Sequence, residues 1–485
     1  MVTHHNGRQW ARGGVVVPGL VVGYDDGDAE VFPLSFDREA LPSLYAAHVA
    51  VLDRRYADVC TAHGLDGIVV HSGTAQKKSA FDDQYWPLVV VPTFRHWLPL
   101  AVEGCALWIR PGSKPVLFLN VARSFWDGPP EVESDHFWSA FDVVEVTSPA
   151  QIREALSRSV GRLEFVGEDV VFGGALGFAD DRLAPDEFMR TLDGTRVLKT
   201  PYEVACHREA NRRAAVGHIA VAHAFYDGTP SELDLHLLYL NVTAQDDTDA
   251  PYKGIVALDE HAATLHHVAY GRRRGEAKTL LTDAGAACMG YHSDITRTLV
   301  KARGGAADVF AGLIAAINTL QQHLVTAIVP GQPYQALHDE SHRLLASALV
   351  SVGVAKAGVS ADALVISGVT RKLFPHGLGH SLGVATHDVG CKLVAPKSDN
   401  PFLRNTADIA VGQVFTIEPG CYFIPSLLEE ARALPEGGGL DWSVVDALVP
   451  FGGIRIEDNI HVTAAGPDNL TRPSLPDEAL RPRRP

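Results

Sequence analysis

Apolar positions along the 485-residue chain change spacing as it proceeds. Leu41, Leu44, His48, Val51 and Leu52 recur at helical spacing, which predicts an amphipathic helix beginning near residue 41. Short apolar runs follow at Asp66–His71, Ala106–Ile109, Val116–Asn120 and Phe141–Val146, each read as a strand. Pro149–Val160 reads as a helix, so the first part of the chain is expected to be an alternating α/β domain. Thr200-Pro201-Tyr202-Glu203 has the form of a capping box: an N-cap threonine, proline at the first helical position, and glutamate three residues after the cap. It opens a helix running towards Phe225 and marks a boundary. Ala306–Ile328 and Tyr334–Val352 are further predicted helices, with several apolar strands between Leu280 and Val462. The expected organisation is an extension without helical periodicity and poorly ordered over 1–40, an N-terminal α/β domain over 41–195, a second domain over 196–470, and a flexible tail rich in Pro and Arg over 471–485.

Charge narrows the partners. Lys and Arg number 42 against 58 Asp and Glu, a net charge of −16. A chain this acidic lacks the basic footprint that nucleic acids and anionic membranes require. The longest early apolar run, Val15–Val22, is broken by Pro18 and Gly19 and is too short to span a bilayer. The six cysteines form no CxxC pair and lie in apolar or mixed stretches. That pattern suits buried thiols better than a disulfide framework or a zinc cage, so a cytoplasmic protein is expected. Gly173-Gly174-Ala175-Leu176-Gly177 is a lone glycine cluster and a weak phosphate-loop signal.

Four segments of the second half set carboxylates and imidazoles where apolar strands would otherwise run. Leu280–Gly285 and Tyr291–Thr298 read as two strands about a turn at Cys288-Met289-Gly290. A hairpin centred there pairs Asp283 with Asp294, at about 5 Å between Cβ atoms, an unfavourable contact for bare like charges. Phe374–Gly383 holds His376 and His380 at the spacing of a zinc-protease helix, but Gly377 stands where that motif has its glutamate, and two glycines separate the histidines. It is better read as a tight backbone presenting imidazoles, with His387 close behind. Glu418 ends the apolar strand Val414–Ile417 and is held extended by Pro419; a buried carboxylate there needs a cation or a proton. In Gly453–Ile460, Arg455 and Glu457 share one strand face and Ile454 and Ile456 the other. Each segment alone has a structural explanation. Together they suggest one oxygen-rich metal centre of Asp283, Asp294, Glu418 and Glu457 with one imidazole, whose charge two divalent cations would neutralise. Carboxylate ligation favours Mn²⁺, with Co²⁺ or Zn²⁺ as alternatives.

The succession Thr-Asp-Ala-Gly, Ser-Asp-Ile-Thr-Arg-Thr, His-Gly-Leu-Gly-His, Ile-Glu-Pro-Gly and Gly-Gly-Ile-Arg-Ile-Glu-Asp-Asn resembles the pita-bread metallopeptidases, which include methionine aminopeptidase, aminopeptidase P and prolidase. Ala80–Asp83, Pro251–Leu258, Glu260–Ala263 and Pro450–Gly453 make it most similar to the bacterial Xaa-Pro dipeptidases and the related organophosphorus acid anhydrolases, over roughly residues 41–470. The resemblance implies an α/β (α+β) protein: an N-terminal α/β domain followed by a pita-bread catalytic domain. It implies a metallopeptidase with two divalent ions per subunit, cleaving Xaa-Pro dipeptides by attack of a bridging hydroxide. Asp283 would bind one ion, Asp294 and Glu457 both, and His380 and Glu418 the other. Glu418 would also shuttle the proton to the departing proline nitrogen. By the same resemblance His266 contacts substrate, His376 and His387 surround the metals, and Arg455 belongs to the substrate network. Arg404 would hold the substrate's terminal carboxylate, and Tyr252 would line the pocket. Three positions depart from the family pattern: His267 replaces a tyrosine, Ala407 an arginine, and Leu88 the phenylalanine of a Pro-Phe pair.

Alternatives of two kinds accompany this expectation. The same centre could hydrolyse phosphotriesters, or the fold could serve as a non-catalytic peptide-binding module; the complete ligand set argues against the second. The family expectation is a homodimer in which Phe81–Pro87, with Trp86 and Trp97, borders the partner's pocket, and no nucleic acid or membrane partner.

Overall fold

A computed structural model describes residues 40–482, apart from 123–127, 129–134, 159–160, 180–183, 247, 390–394 and 399. Helix α1 (Leu41–His63) buries Leu41, Tyr45, His48, Leu52 and Tyr56 along one face, as their spacing predicts. The expected extension over residues 1–40 lies outside the described residues but for Ala40.

The four predicted N-terminal strands all form: β1 (Gly67–His71), β2 (Ala106–Ile109), β3 (Val116–Asn120) and β4 (Asp142–Val146). A fifth, β5 (Leu163–Val166), joins them in the order β4-β3-β2-β1-β5. The pairs β1–β2 and β2–β3 are antiparallel, β1–β5 and β3–β4 parallel. Alternate residues of the central strands enter two different cores. Ile68, Val70, Leu107 and Ile109 pack with α1, while Val69, Trp108 and Phe118 pack with Ile152, Leu156 and Leu176. Both sheet faces are therefore covered, which is why these strands read as continuous apolar runs and not as alternations.

Around this sheet lie α2 (Pro92–Trp97), α3 (Pro149–Ser157), α4 (Val170–Leu176) and α5 (Asp186–Gly194). Gly173 and Gly174 sit inside α4, so that cluster is helical and not a phosphate loop. Trp97 is fully buried, edge-on to Tyr56 at 5.0 Å, and its carbonyl accepts the Tyr45 hydroxyl at 2.6 Å. It cannot border another subunit's pocket, because α2 turns its last residue into the core; Phe81 and Trp86 remain exposed.

The capping box at residue 200 is realised in α6 (Pro201–Asp227): the Thr200 N–H donates to Glu203 Oε2 at 2.7 Å and the Glu203 N–H to Thr200 Oγ1 at 3.4 Å. A second box, Ser231 with Asp234, opens α7 (Glu232–Val242), which the apolar pattern did not reveal. Then come β6 (Ile255–Leu258), β7 (Thr279–Asp283), β8 (Ala287–Cys288), β9 (Tyr291–His292) and β10 (Thr296–Val300). The predicted helices follow as α8 (Ala306–Thr326) and α9 (Tyr334–Ser351). The last strands are β11 (Val414–Ile417), β12 (Gly420–Tyr422), β13 (Gly453–Arg455), β14 (Asp458–Thr463) and β15 (Gly466–Asn469). They form sheets β10-β7-β6 and β11-β14-β15 and the pair β12-β13. An isolated bridge between Thr296 and Glu457 stitches the two halves. The largest core lies between these strands and α8 and α9.

Two expectations need correction. Asp283 pairs with Thr296 and not with Asp294. The turn is a two-residue one: Met289 (φ 51°) and Gly290 (φ 81°) are both left-handed, so Cys288 pairs with Tyr291 and the whole ladder shifts by two. A shift of two preserves the face, so both aspartates still point the same way. The C-terminal segment also fails to run free. Leu475 and Leu480 are buried, and Arg472 holds Asp458 at 2.6 Å and Asp477 at 2.9 Å.

Among the described residues no helix is long and apolar enough to cross a membrane. Five cysteines are free and buried; Cys391 lies outside the described residues.

Candidate metal centre

Each acidic residue stands at or just beyond the end of a strand, where the ladder stops satisfying the backbone. Asp283 closes β7, Asp294 lies between β9 and β10, Glu418 follows β11, and Glu457 bridges β13 and β14. Long-range bonds fix their backbones. The Asp294 N–H donates to Asn459 Oδ1 at 3.0 Å, the Glu457 N–H to the Thr296 carbonyl at 3.0 Å, and the Glu418 N–H to the Leu378 carbonyl at 2.8 Å. The stretch carrying His376 and His380 is non-helical. A Cβ at Gly379 would overlap the Thr416 carbonyl and the Tyr334 hydroxyl, and one at Gly377 would sit 2.8 Å from the Phe402 carbonyl. The glycines let this loop lie flat on β11 and aim His380 at the acids.

His380 Nε2 is 3.3 Å from Asp294 Oδ2 and 3.8 Å from Glu418 Oε1. Asp294, His380 and Glu457 each bring one donor atom within 4.8 Å of the others. The Tyr252 hydroxyl lies between Asp283 Oδ1 (2.8 Å) and Asp294 Oδ1 (2.5 Å). Thr296 Oγ1 donates to Glu457 Oε2 at 2.6 Å, while Glu457 Oε1 is buried without a partner. Arg455 donates to Asp283 Oδ2 at 2.5 Å and to the Tyr422 hydroxyl at 2.9 Å; His376 Nε2 meets the same hydroxyl at 2.8 Å.

The electrostatics are those of too many acids in a dry space. Burial pushes Asp283 up to about 6, with Arg455 opposing and Asp294 assisting, and pushes Glu418 up to about 7. Glu457 is also raised, first by burial and then by Asp294 and Glu418. Asp294 is lowered, since His380 and Tyr252 outweigh its burial. Burial holds His376 and His387 down at about 3, keeping both imidazoles neutral. The orphaned Glu457 oxygen, the acids raised by burial and a neighbouring imidazole make a donor set that a hard divalent cation fits.

Asp283, Asp294, His380, Glu418 and Glu457 line a cavity of ≈ 1300 Å³ together with His266, His376, His387, Arg404 and Arg455. Tyr252 lines an adjoining cavity of ≈ 500 Å³ that shares Asp283, Asp294, His266 and His387. The structure thus gathers the residues singled out in the sequence about one centre. Sequence reasoning missed Tyr422, Thr296 and Asn459; a tyrosine in a short apolar strand and a threonine in another carry no pattern of their own.

Behind His266 lies a second polar cluster. Buried Glu232 accepts the N–H groups of Leu258 (2.8 Å) and Gly271 (2.6 Å), His261 Nδ1 (2.7 Å) and His267 Nε2 (2.9 Å). Its four donors come from the last residue of β6 and from the segment after it that carries His266. His267, in place of the family's tyrosine, still supplies one of them.

Two family profiles match the chain: "Metallopeptidase family M24" over residues 205–464 and "Xaa-Pro dipeptidase, N-terminal domain" over 43–193. Among similar proteins, the Xaa-Pro dipeptidase of Marinobacter nauticus is 40% identical over 88% of this chain and 97% of its own. That of Aeromonas hydrophila is 38% identical over 88% of this chain and 98% of its own. Among solved structures, proline aminopeptidase P II from Yersinia pestis superposes with a TM-score of 0.67 at 21% identity, covering 92% of this chain and 99% of that one. An Escherichia coli aminopeptidase P in complex with substrate gives 0.68 at 22% identity, covering 89% and 97%. At that identity the structural likeness speaks for the fold.

Proposed function

This chain belongs to metallopeptidase family M24, and on that ground and the geometry above we propose that it hydrolyses the Xaa-Pro bond of dipeptides. The observation that carries the proposal is one cavity in which an acid-rich, imidazole-flanked centre faces the same space as Arg404, a cation without a partner among the described residues. Asp283, Asp294, His380, Glu418 and Glu457 would hold two divalent ions, for which Mn²⁺ suits the carboxylate-dominated set, and these would supply Lewis acidity and a water that is nucleophilic at neutral pH.

The chain's own residues do the rest. Glu418, just beyond β11 on the cavity wall, would take the proton of the attacking water and return it to the leaving proline nitrogen. His266 and His387 line the space beside the scissile bond and can donate to its carbonyl oxygen as charge develops there, His387 being held neutral by its burial. Tyr422 orients His376, and Arg455 holds Asp283 in place. Arg404 is exposed, and no described residue forms a hydrogen bond or ion pair with it, which leaves it free for the terminal carboxylate. A phosphotriester offers Arg404 no anion, so the peptide reading is preferred.

The reading extends to a division near residue 195, a cytoplasmic enzyme and a homodimer. It is supported by the matches to the two profiles on either side of that position and by the exposed side chains of Phe81 and Trp86.

The test is kcat/KM for Gly-Pro, its C-terminal amide and a phosphotriester, with Mn²⁺, in wild type and Arg404→Ala. Wild type is expected to favour the free acid over the amide by about tenfold or more. The variant should raise KM more than it lowers kcat and narrow that preference. Hydrolysis of the phosphotriester alone would sink the proposal. If the variant discriminates as strongly as wild type, Arg404 is not the carboxylate clamp.

A further inference from the structure

We propose that Arg95 reads the side chain preceding proline, so that the preferred substrates carry a carboxylate there, as in Glu-Pro and Asp-Pro. The inference rests on the Xaa-Pro reading above and names the substrate class within it.

The two cavities meet at Asp283 and Asp294, which line both. Arg404 and Glu418 lie only on the larger, so a dipeptide whose proline carboxylate reaches Arg404 has its proline there. The residue on the other side of the scissile bond then points into the smaller cavity, beside Tyr252. Arg95, from the last turn of α2, lines that smaller cavity.

Its guanidinium is in an unusual position. Burial lowers its pKa, yet among the described residues none forms a hydrogen bond or ion pair with its side chain. Arginine cannot shed its charge at neutral pH, so a largely buried guanidinium facing a cavity calls for an anion when that cavity is filled. The fold also makes room for it. A Cβ at Gly290, at the tip of the β8–β9 turn, would stand 2.5 Å from Arg95 Cδ. The left-handed turn therefore leaves the slot in which the arginine lies.

The remaining charges in the smaller cavity favour the same ligand. Lys253 is exposed, its ammonium 5.2 Å from the Tyr270 ring centroid. Asp249 accepts the Asp246 N–H at 3.2 Å and is exposed. His292 also lines this cavity, its Nδ1 3.0 Å from Thr386 Oγ1. With Asp283 and Asp294 committed to cations, two positive side chains face one negative. A glutamate or aspartate side chain can accept paired N–H bonds from the guanidinium, whereas the isosteric amide cannot bring the charge.

The experiment uses the Mn²⁺-loaded full-length enzyme with Ala-Pro, Glu-Pro, Gln-Pro and Lys-Pro. Wild type is expected to turn over Glu-Pro with kcat/KM about tenfold or more above Gln-Pro. In Arg95→Met that ratio should fall to about one, in Arg95→Lys much of it should survive, and Arg95→Glu should shift preference towards Lys-Pro. Comparing two substrates within each variant separates loss of recognition from partial loss of active enzyme. Should Arg95→Met fail to fold, the wild-type ratio and Arg95→Lys still decide. Wild type that cleaves Ala-Pro but treats Glu-Pro and Gln-Pro alike, or a ratio that survives in Arg95→Met, overturns the assignment and leaves the dipeptidase reading standing. Wild type that cleaves no Xaa-Pro dipeptide overturns that reading instead.

Discussion

Asp294 is tied down at both its backbone and its carboxylate. Asn459 holds its backbone from both sides, the Tyr252 hydroxyl and His380 Nε2 approach its two oxygens, and the carboxylate stays ionised while its neighbours are pushed towards protonation. Replacing it with asparagine removes the charge without changing the shape. Asp294→Asn should lower kcat/KM by at least about 100-fold in excess Mn²⁺, since even outer-sphere partners of a metal are worth about 10–100-fold. It should also reduce the rise in melting temperature that Mn²⁺ gives the wild type. Retention of both would remove Asp294 from the ligand set. Other single side chains act through longer chains of contact: Tyr422 takes the Arg455 N–H and meets His376, linking an ion-paired arginine to a neutral histidine.

At the scale of elements, the histidine loop and the Glu232 anchor show how backbone is placed before chemistry begins. Gly379 lies against β11, and the atom its Cβ would strike is a backbone carbonyl that cannot swing aside. Gly379→Ala should therefore cost about 3 kcal/mol of stability, at the upper end of ordinary overpacking, and move His380 off Asp294. Urea unfolding with and without Mn²⁺ reads both effects; unchanged stability would mean the loop can lift away. The Glu232 carboxylate gathers the start and end of the segment 258–271. Glu232→Ala should lower stability, by leaving buried N–H donors unpaired, and should lower kcat as His266 loses its fixed setting. A variant with unchanged kcat on Gly-Pro would show that the segment holds its shape without the anchor.

Whole-molecule stability carries a pH signature of known sign. Burial depresses His48, His71, His207 and His218 to about 4 each. The unfolded chain binds protons at these positions from about pH 6.5 downwards while the folded protein does not. Their contribution is present in full above pH 6.5 and is lost as pH falls towards 4. Asp283 and Glu418, raised to about 6 and about 7, have the opposite sign when no cation is bound, since the folded protein takes up those protons first. A divalent cation held by them would keep them ionised and remove this compensation. The melting temperature should therefore fall more steeply between pH 6.5 and 4 for the Mn²⁺-loaded enzyme than for the metal-free one. Equal slopes would show that these carboxylates are not the groups that meet the metal.

The sequence by itself picked out the carboxylates and imidazoles that the fold gathers in one cavity, and their order along the chain. It also marked the capped start of α6 and the non-helical form of the His-Gly-Leu-Gly-His loop. These are local matters: an N-cap, a glycine that cannot be replaced, a carboxylate interrupting an apolar strand. The tertiary structure decided the register that sets Asp283 against Thr296, because two left-handed residues in a turn are invisible to a hydrophobic pattern. It decided that Trp97 is core and Trp86 surface, although both are tryptophans in the same stretch. And it alone brought Arg95 over Gly290 and the Tyr422 hydroxyl between Arg455 and His376. Such contacts join residues tens to hundreds of positions apart, and no spacing along the chain encodes which distant side chain will arrive.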